Sequence, residues 1–451
     1  MKIQKQVPLT EGPILKSLTG LAVPIMISSF LGTLYNITDM AWIGLLGSKA
    51  VAAVGVGGMY VWLSQGLASL ARMGGQVHVA QCLGRGDKEQ AHRYAKTAVQ
   101  LSILLGLAFA AVSLLFTDLL VGFFKLEGVK TILDAKIYMR ITCGLILFSF
   151  LNLTLTGLYT AQGDSKTPFV ANFIGLLINL LLDPLLILGV GPFPRIEVAG
   201  AAVATVSAQL VVMLVMMVGV FRSKKEENVL KGIRLFEPFS KEELGNICKI
   251  GGPTAIQGMV YCMISMVLTR MVAAFGAEAI ATQRVGGQIE SVSWNTADGF
   301  AAALNAFVGQ NYGAKKMDRV QKGYRISFWT VAIWGALIML AFIIFPGPIA
   351  RVFFHEEKAM EIAISYLIII GFSEAFMCVE LMTIGALSGL GKTKLCSVIS
   401  ITATSMRIPL AMVLSRTSLG LDGIWWALTL TSVAKGIIFY LTFRYQMREK
   451  C

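Results

Sequence analysis

Apolar residues run through this chain in long blocks, with polar and charged residues gathered into short stretches between them. Twelve such blocks are centred near residues 28, 62, 105, 148, 178, 209, 260, 294, 336, 374, 404 and 432. Several hold about 20 residues with few or no charges, enough for a helix to cross a hydrocarbon core of about 30 Å. The core of a bilayer offers no water to the backbone, so a crossing segment must satisfy its own amides, which a helix does. The pattern predicts an all-α membrane protein of twelve transmembrane helices.

The longest polar stretch, Arg222 to Lys249, falls between the sixth and seventh blocks. It divides the chain into a first six-helix lobe (1-222), a linker (223-245) and a second six-helix lobe (246-451). The two parts resemble each other. A shift of 229 residues lays Pro24 on Pro253 and GSKAVAAVGVGG (47–58) on GAEAIATQRVGG (276–287), with six of twelve positions identical. The same shift lays Val79, Gln81 and Gly84 on Val308, Gln310 and Gly313, and a shift of 226 lays GDSKT (163–167) on GLGKT (389–393). Six crossings return the chain to the side it left, so the halves are parallel repeats, and a binding cavity between them is expected.

Composition sharpens this picture. Apolar residues make up 55% of the chain and charged ones 14%, against about 25% charged in soluble domains. No soluble enzyme domain is left over. The formal charge of +13 is not a nucleic-acid footprint, because of where the basic residues sit. With a cytoplasmic N-terminus, the cytoplasmic loops and tails hold about 25 Lys and Arg and the opposite side about nine. That asymmetry places both termini in the cytoplasm. The first block is long, carries Asn36 and Asp39 and lacks a small-residue cleavage site, so it reads as a spanning helix. Seven scattered cysteines form no CxxC, and His78, His92 and His355 are dispersed, so no metal site or cofactor is expected. GLGKT lacks the GxxxxGK spacing of a phosphate loop. Gly-rich and small-residue runs, such as GVGG (55–58) and AGAAVATVSA (199–208), suit close helix packing. Met213, Met216 and Met217 in the sixth block would fill a core or line a cavity.

Ionisable groups inside a bilayer are costly and need a reason. Asp39 lies in the first block three residues after Asn36, and Asp183 lies in the fifth, four after Asn179, so each acid shares a helix face with an amide. Pro184 frees a backbone carbonyl beside the second acid. Two acids and two amides make a pocket for a proton or a small cation, or else bond helix to helix. At the repeat-equivalent positions the second half has Leu268 for Asp39, Ser265 for Asn36 and residues near Ile408 and Pro409 for Asp183. The architecture does not need the acids, which favours a specific task for them. The second half carries Arg284, Glu290 and Asp298 in the eighth block, Glu374 and Glu380 in the tenth and Arg407 in the eleventh. Arg284 and Glu290 are six apart and so about 120° apart around one helix. A neutralised interhelical network, or a second cation or substrate site, accounts for these charges.

The order of YNITDMAWIG, QGDSKTP, Asn179 and Asp183 ahead of Pro184, and GQNYGAKK, together with the duplication, resembles the multidrug and toxic compound extrusion (MATE) family, and within it the DinF-like prokaryotic branch. The resemblance covers all twelve spans. It implies a V-shaped, monomeric antiporter in a prokaryotic plasma membrane that exports small organic cations or drugs against protons or sodium. It maps coupling onto Asp39 and Asp183 with Asn179 and Asn152 as neighbours, and a possible Na+ site onto Asp39, Asn179 and Asp183. Tyr35 matches a polar position beside the first acid, and Pro24 a first-span proline linked to helix bending. In the sister NorM-like branch a second-lobe cation site uses a seventh-span acid; here Gln257 stands there.

An ionised carboxylate is costly in apolar surroundings and costlier beside another, which suits the pair Asp39 and Asp183 to hold a proton. Protonation would then release a cation that the ionised pocket favours, a differential affinity such as coupling requires. The same superfamily includes exporters and flippases of lipid-linked oligosaccharides, for which a strongly basic central cavity is expected. A membrane-embedded enzyme would need a nucleophile, a metal cluster or a catalytic His, and no such constellation is visible in the sequence.

Overall fold

The computed structural model describes residues 7–448 apart from 127, 190–193, 224–227, 236, 239 and 355. His355 and part of the 223-245 stretch therefore lie outside the described residues. The first half forms α1 (Ile14–Gly44), α2 (Ser48–Arg85), α3 (Lys88–Leu115), the short α4 (Thr117–Gly122), α5 (Val129–Gly144), α6 (Leu147–Ala161), α7 (Lys166–Ile187) and α8 (Glu197–Arg222). The second forms α9 (Lys241–Ala273), α10 (Ala277–Gly313), α11 (Met317–Ile344), the short α12 (Pro346–Phe353), α13 (Glu357–Gly371), α14 (Glu374–Gly389), α15 (Thr393–Ser405), α16 (Arg407–Leu414) and α17 (Leu421–Arg448). No strand occurs among the described residues.

These helices account for all twelve apolar blocks. Nine spans among the described residues are long and apolar enough to cross a membrane, α15 and α16 counting as one, and two bent pairs bring the number to eleven. The twelfth block is α10, whose Arg284, Glu290 and Asp298 dilute its apolar character. Two blocks that read as single segments are bent: α5 meets α6 at 43°, and α13 meets α14 at 50°. A third breaks at Met406, where Pro409 has no N–H to offer the carbonyl of Ser405. Loop chemistry fixes the starts of helices. Asp164 accepts from the amides of Lys166 and Thr167 at 3.1 and 3.0 Å and so caps α7, and Asp87 accepts from Gln90 at 2.9 Å at the start of α3.

The duplication is visible in side-chain packing. A methyl group on Gly57 would lie 2.4 Å from Tyr138, and one on Gly286 would lie 2.1 Å from Tyr366. Gly106 abuts Leu147 as Gly335 abuts Ala375, and Gly157 abuts Arg72 as Gly385 abuts Ala301. Each pair recurs at an interval of 228 or 229 residues. Glycine at these positions is what lets the helices approach, as in membrane helix packing generally.

The chain forms two compact units. One contains residues 27–258 and the other residues 8–26 with 259–451. The first half of α1 thus belongs with the second half of the sequence, and the first half of α9 with the first. In the second unit Leu18, Leu21 and Ala22 are at most 1% exposed, and Gly299 leaves room for Met26. In the first unit Gly251 lies against the Leu70 carbonyl and Gly74 against Ile247. Pro24 and Pro253 each stand a few residues before the point where their helix passes from one unit to the other.

The first unit is built around Tyr94, Leu158, Tyr159, Met216 and Ile247, which are buried together. Met216 is fully buried there and Met217 packs against the same cluster, so these methionines fill core. The small residues of α8 do the same: Ala201, Ala202, Ala204 and Ala208 are at most 3% exposed, and Gly200 sits against the carbonyl of Leu186 on α7.

Candidate functional site

The candidate site of the first unit is assembled on one apolar cluster. Ile43 of α1, Tyr138 of α5, Ile187 of α7 and Ala201 and Ala202 of α8 are buried together. Asp39 is one turn before Ile43, and Asp183 is one turn before Ile187. Residues four apart share a helix face, so packing the two isoleucines into one cluster turns both acids toward the same space. Asp39 is 7% exposed and Asp183 fully buried, and each acts electrostatically on the hydroxyls of Tyr35 and Tyr138. Gly57 makes room for the Tyr138 ring.

The polar contacts around the acids are few. The Asn179 amide donates to Asp183 Oδ1 at 3.2 Å, whereas Asp39 Oδ1 and Asp183 Oδ2 are buried without a hydrogen-bond partner. No Lys or Arg forms an ion pair with either acid among the described residues. Buried carboxylate oxygens without partners are rare in folded proteins and call for an explanation. The Tyr35 hydroxyl donates to Thr205 Oγ1 of α8 at 2.8 Å. Asn152 of α6 donates to the carbonyl and to Oε1 of Gln209, both at 2.8 Å, and its own Oδ1 is unpartnered. Thr205 and Gln209 are one turn apart on α8 and so hold α1 and α6 from one face. Sequence reasoning passed over both, and also Tyr138, although a polar pair at helical spacing inside an apolar run was there to be noticed.

Of the remaining candidates in this region, Asn36 lies on an exposed face of α1. Pro24 belongs to the part of α1 in the second unit, and Gln257 to the part of α9 in the first. Where the second unit repeats this architecture, Leu268 takes the place of Asp39 and is buried with Ile264, Val272, Ala411 and Ile424.

The charges of the second unit form a separate, connected set. Tyr366 donates a short hydrogen bond to Glu290, and Ser293 donates another to Glu374. Glu374 is 1% exposed and opens α14 at the bend after α13. Arg407 acts electrostatically on Glu290 while its own Nε and Nη2 donate to Thr431 at 3.0 Å and Ser432 at 2.9 Å. Lys435 pairs with Glu380 at 2.8 Å, both side chains being 6% exposed. Of the two arginines, Arg407 is the buried one and acts on Glu290, whereas Arg284 is exposed. Ser293, Tyr366, Thr431, Ser432 and Lys435 are the members that sequence reasoning did not name. Among the described residues no group of three or more His, Cys, Asp or Glu is placed to hold a metal ion.

A family model described as MatE matches residues 24–185 and again 253–413, the interval at which the chain repeats itself. The chain is 29% identical, over 98% of its length and 95% of the relative's, to a probable multidrug resistance protein NorM of Thermotoga maritima. It is 25% identical, over 96% of its length and 95% of the relative's, to an FAD transporter of Shewanella oneidensis. Among solved structures, a MOP superfamily transporter from Pyrococcus furiosus, described as having a binding pocket of reverse polarity, superposes with a TM-score of 0.88 at 25% identity, covering 99% of both chains. A MATE structure in a straight conformation superposes at 0.90 with 24% identity, also covering 99% of both chains. Twice matched by one model along its length, the chain belongs to the MATE family of multi-pass membrane transporters.

Proposed function

We propose that this protein is a secondary active antiporter that exports organic cations or drugs in exchange for protons or sodium. Asp39 and Asp183 are the coupling pair, Asn179 orients the second acid, and Tyr35 with Thr205 and Asn152 with Gln209 hold the surrounding helices. The observation that carries this reading is the pair of buried, unpartnered carboxylate oxygens, Asp39 Oδ1 and Asp183 Oδ2, with no basic side chain paired to either acid among the described residues. Ionised, the pair attracts a cation; protonated or sodium-loaded, it does not, and this difference in affinity is what couples the two fluxes. Both termini lie in the cytoplasm, where the basic loops place them, and the monomer is the working unit.

The test is transport of ethidium in proteoliposomes under an imposed pH gradient or an imposed sodium gradient, with Asp39→Asn alongside. Transport under one gradient, lost in a folded Asp39→Asn protein, is the expected result and identifies the ion. Wild-type transport by that variant would sink the assignment of the acids. A second reading, export of an anionic metabolite, is favoured by the relative named as an FAD transporter. Flavin efflux, with no ethidium transport under either gradient, would establish that reading instead.

A further inference from the structure

α11 and α17 of the second unit enclose a groove of about 570 Å³ at the end where α11 begins and α17 finishes. Its residues repeat at helical spacing on both walls, Gln321, Arg325 and Phe328 on one and Tyr440, Arg444 and Met447 on the other. The floor is rigid. The Tyr324 ring stacks on Phe443 at 3.6 Å, Phe328 lies 5.1 Å from Tyr440, and the Tyr324 hydroxyl bonds Thr383 at 3.0 Å.

The mouth is charged with one sign. Arg325, Arg444 and Arg448 line it and are exposed, and no acidic residue is among the lining residues. The Arg444 guanidinium lies 5.7 Å from the Tyr440 ring centre, and none of the three arginines makes an ion pair among the described residues. Arginine stays protonated and offers a planar fork that fits phosphate oxygens in pairs. Away from this end the surroundings become apolar. Trp329, 61% exposed, lies one turn beyond Arg325, and aromatic side chains of this kind settle at the headgroup level of a bilayer. Further along the same two helices Ile333, Leu337, Ile437 and Leu441 are 46–57% exposed. The succession is basic, aromatic and then aliphatic, which matches a phosphate headgroup with acyl chains below it and not a free anion.

We propose that this groove binds an anionic glycerophospholipid. The three arginines take its phosphate, and its chains lie along the aliphatic stretch beyond Trp329. The site is independent of the acid pair and does not depend on which ion drives transport.

The test uses the full chain in nanodiscs of mixed phosphatidylglycerol and phosphatidylcholine, with retained lipid read by native mass spectrometry. The wild type should keep phosphatidylglycerol in preference to phosphatidylcholine. The triple variant Arg325→Gln, Arg444→Gln, Arg448→Gln should lose that preference by roughly 100-fold, at the usual contribution of one basic residue near an anionic surface. Inorganic phosphate should not displace the lipid; displacement would mean a headgroup-only anion site and overturn the proposal, as would unchanged retention in the triple variant. A second measurement needs no charge variant. Brominated phosphatidylglycerol should quench the emission that Trp329→Phe removes more strongly than brominated phosphatidylcholine at the same mole fraction, and equal quenching overturns the proposal.

Discussion

Gly286 and Gly287 are neighbours in α10, yet a methyl group added at each meets opposite surroundings. At Gly286 it would lie 2.1 Å from Cε1 and 2.8 Å from Cζ of Tyr366, whereas at Gly287 nothing lies within 4 Å. Carbon atoms rest about 3.5–4.0 Å apart, so Gly286→Ala forces the ring to move by more than about 1 Å. That ring is confined: Tyr366 is 3% exposed, stands edge-on to Trp425 at 4.9 Å and bonds Glu290 through its hydroxyl. Overpacking costs about 1–3 kcal/mol, and the half-buried Glu290 deprived of its donor adds about 1–3 kcal/mol. Alanine recovers at most about 1 kcal/mol of helix propensity. Gly286→Ala is therefore destabilising by about 1–5 kcal/mol, while Gly287→Ala is neutral or gains up to about 1 kcal/mol. The assay is the temperature at which each detergent-solubilised variant loses its monodisperse peak. At roughly 2–4 °C per kcal/mol for a unit of 150–250 residues, the two variants should differ by at least about 4 °C. Equal temperatures, or a higher one for Gly286→Ala, would refute the packing argument.

Further outcomes follow from the same reasoning. Lys435→Met leaves Glu380 buried and unpaired and should cost about 3–5 kcal/mol, most of it restored by adding Glu380→Gln; thermal survival of the single and double variants checks this. Asp164→Ala removes the cap of α7 and should cost about 1–2 kcal/mol in the same assay. Asn152→Ala strips both acceptors of Gln209 of their donor, an expected loss of about 1–3 kcal/mol, and a wild-type melting profile would show that water replaces the amide. Lys96→Gln breaks an exposed pair with Glu237 and should change stability by less than about 1 kcal/mol, a larger loss marking that loop contact as structural.

Much of the fold was legible because a bilayer enforces one rule, that every crossing segment be a helix, and because the chain states its architecture twice. The bends were not. The bends follow Gly144 and Gly371, but a glycine in a membrane helix serves close packing as well as kinks, so neither marked a bend of 43° or 50°. Asp39 and Asp183 stood out because burying an acid in lipid is costly, and their turn-to-turn spacing from Ile43 and Ile187 then placed them together. Thr205 and Gln209 did not stand out, because a single Thr or Gln in a membrane helix can satisfy itself on its own backbone. The exchange of the first halves of α1 and α9 leaves no trace in the repeat, because equivalent positions along the sequence do not tell which half each packs against.

That exchange has a bearing on biosynthesis. Residues 8–26 are made well before the remainder of the unit they complete, residues 259–451. At about 5–20 residues per second, synthesis takes on the order of 10–50 s to travel from Met26 to Met259. Through that interval the first part of α1 waits in the bilayer without its partners, which its apolar character allows, and the first unit likewise stays incomplete until residues 241–258 emerge. A product that stops after α8 therefore holds two unfinished bodies, because the first unit still lacks the start of α9 and the second has only residues 8–26.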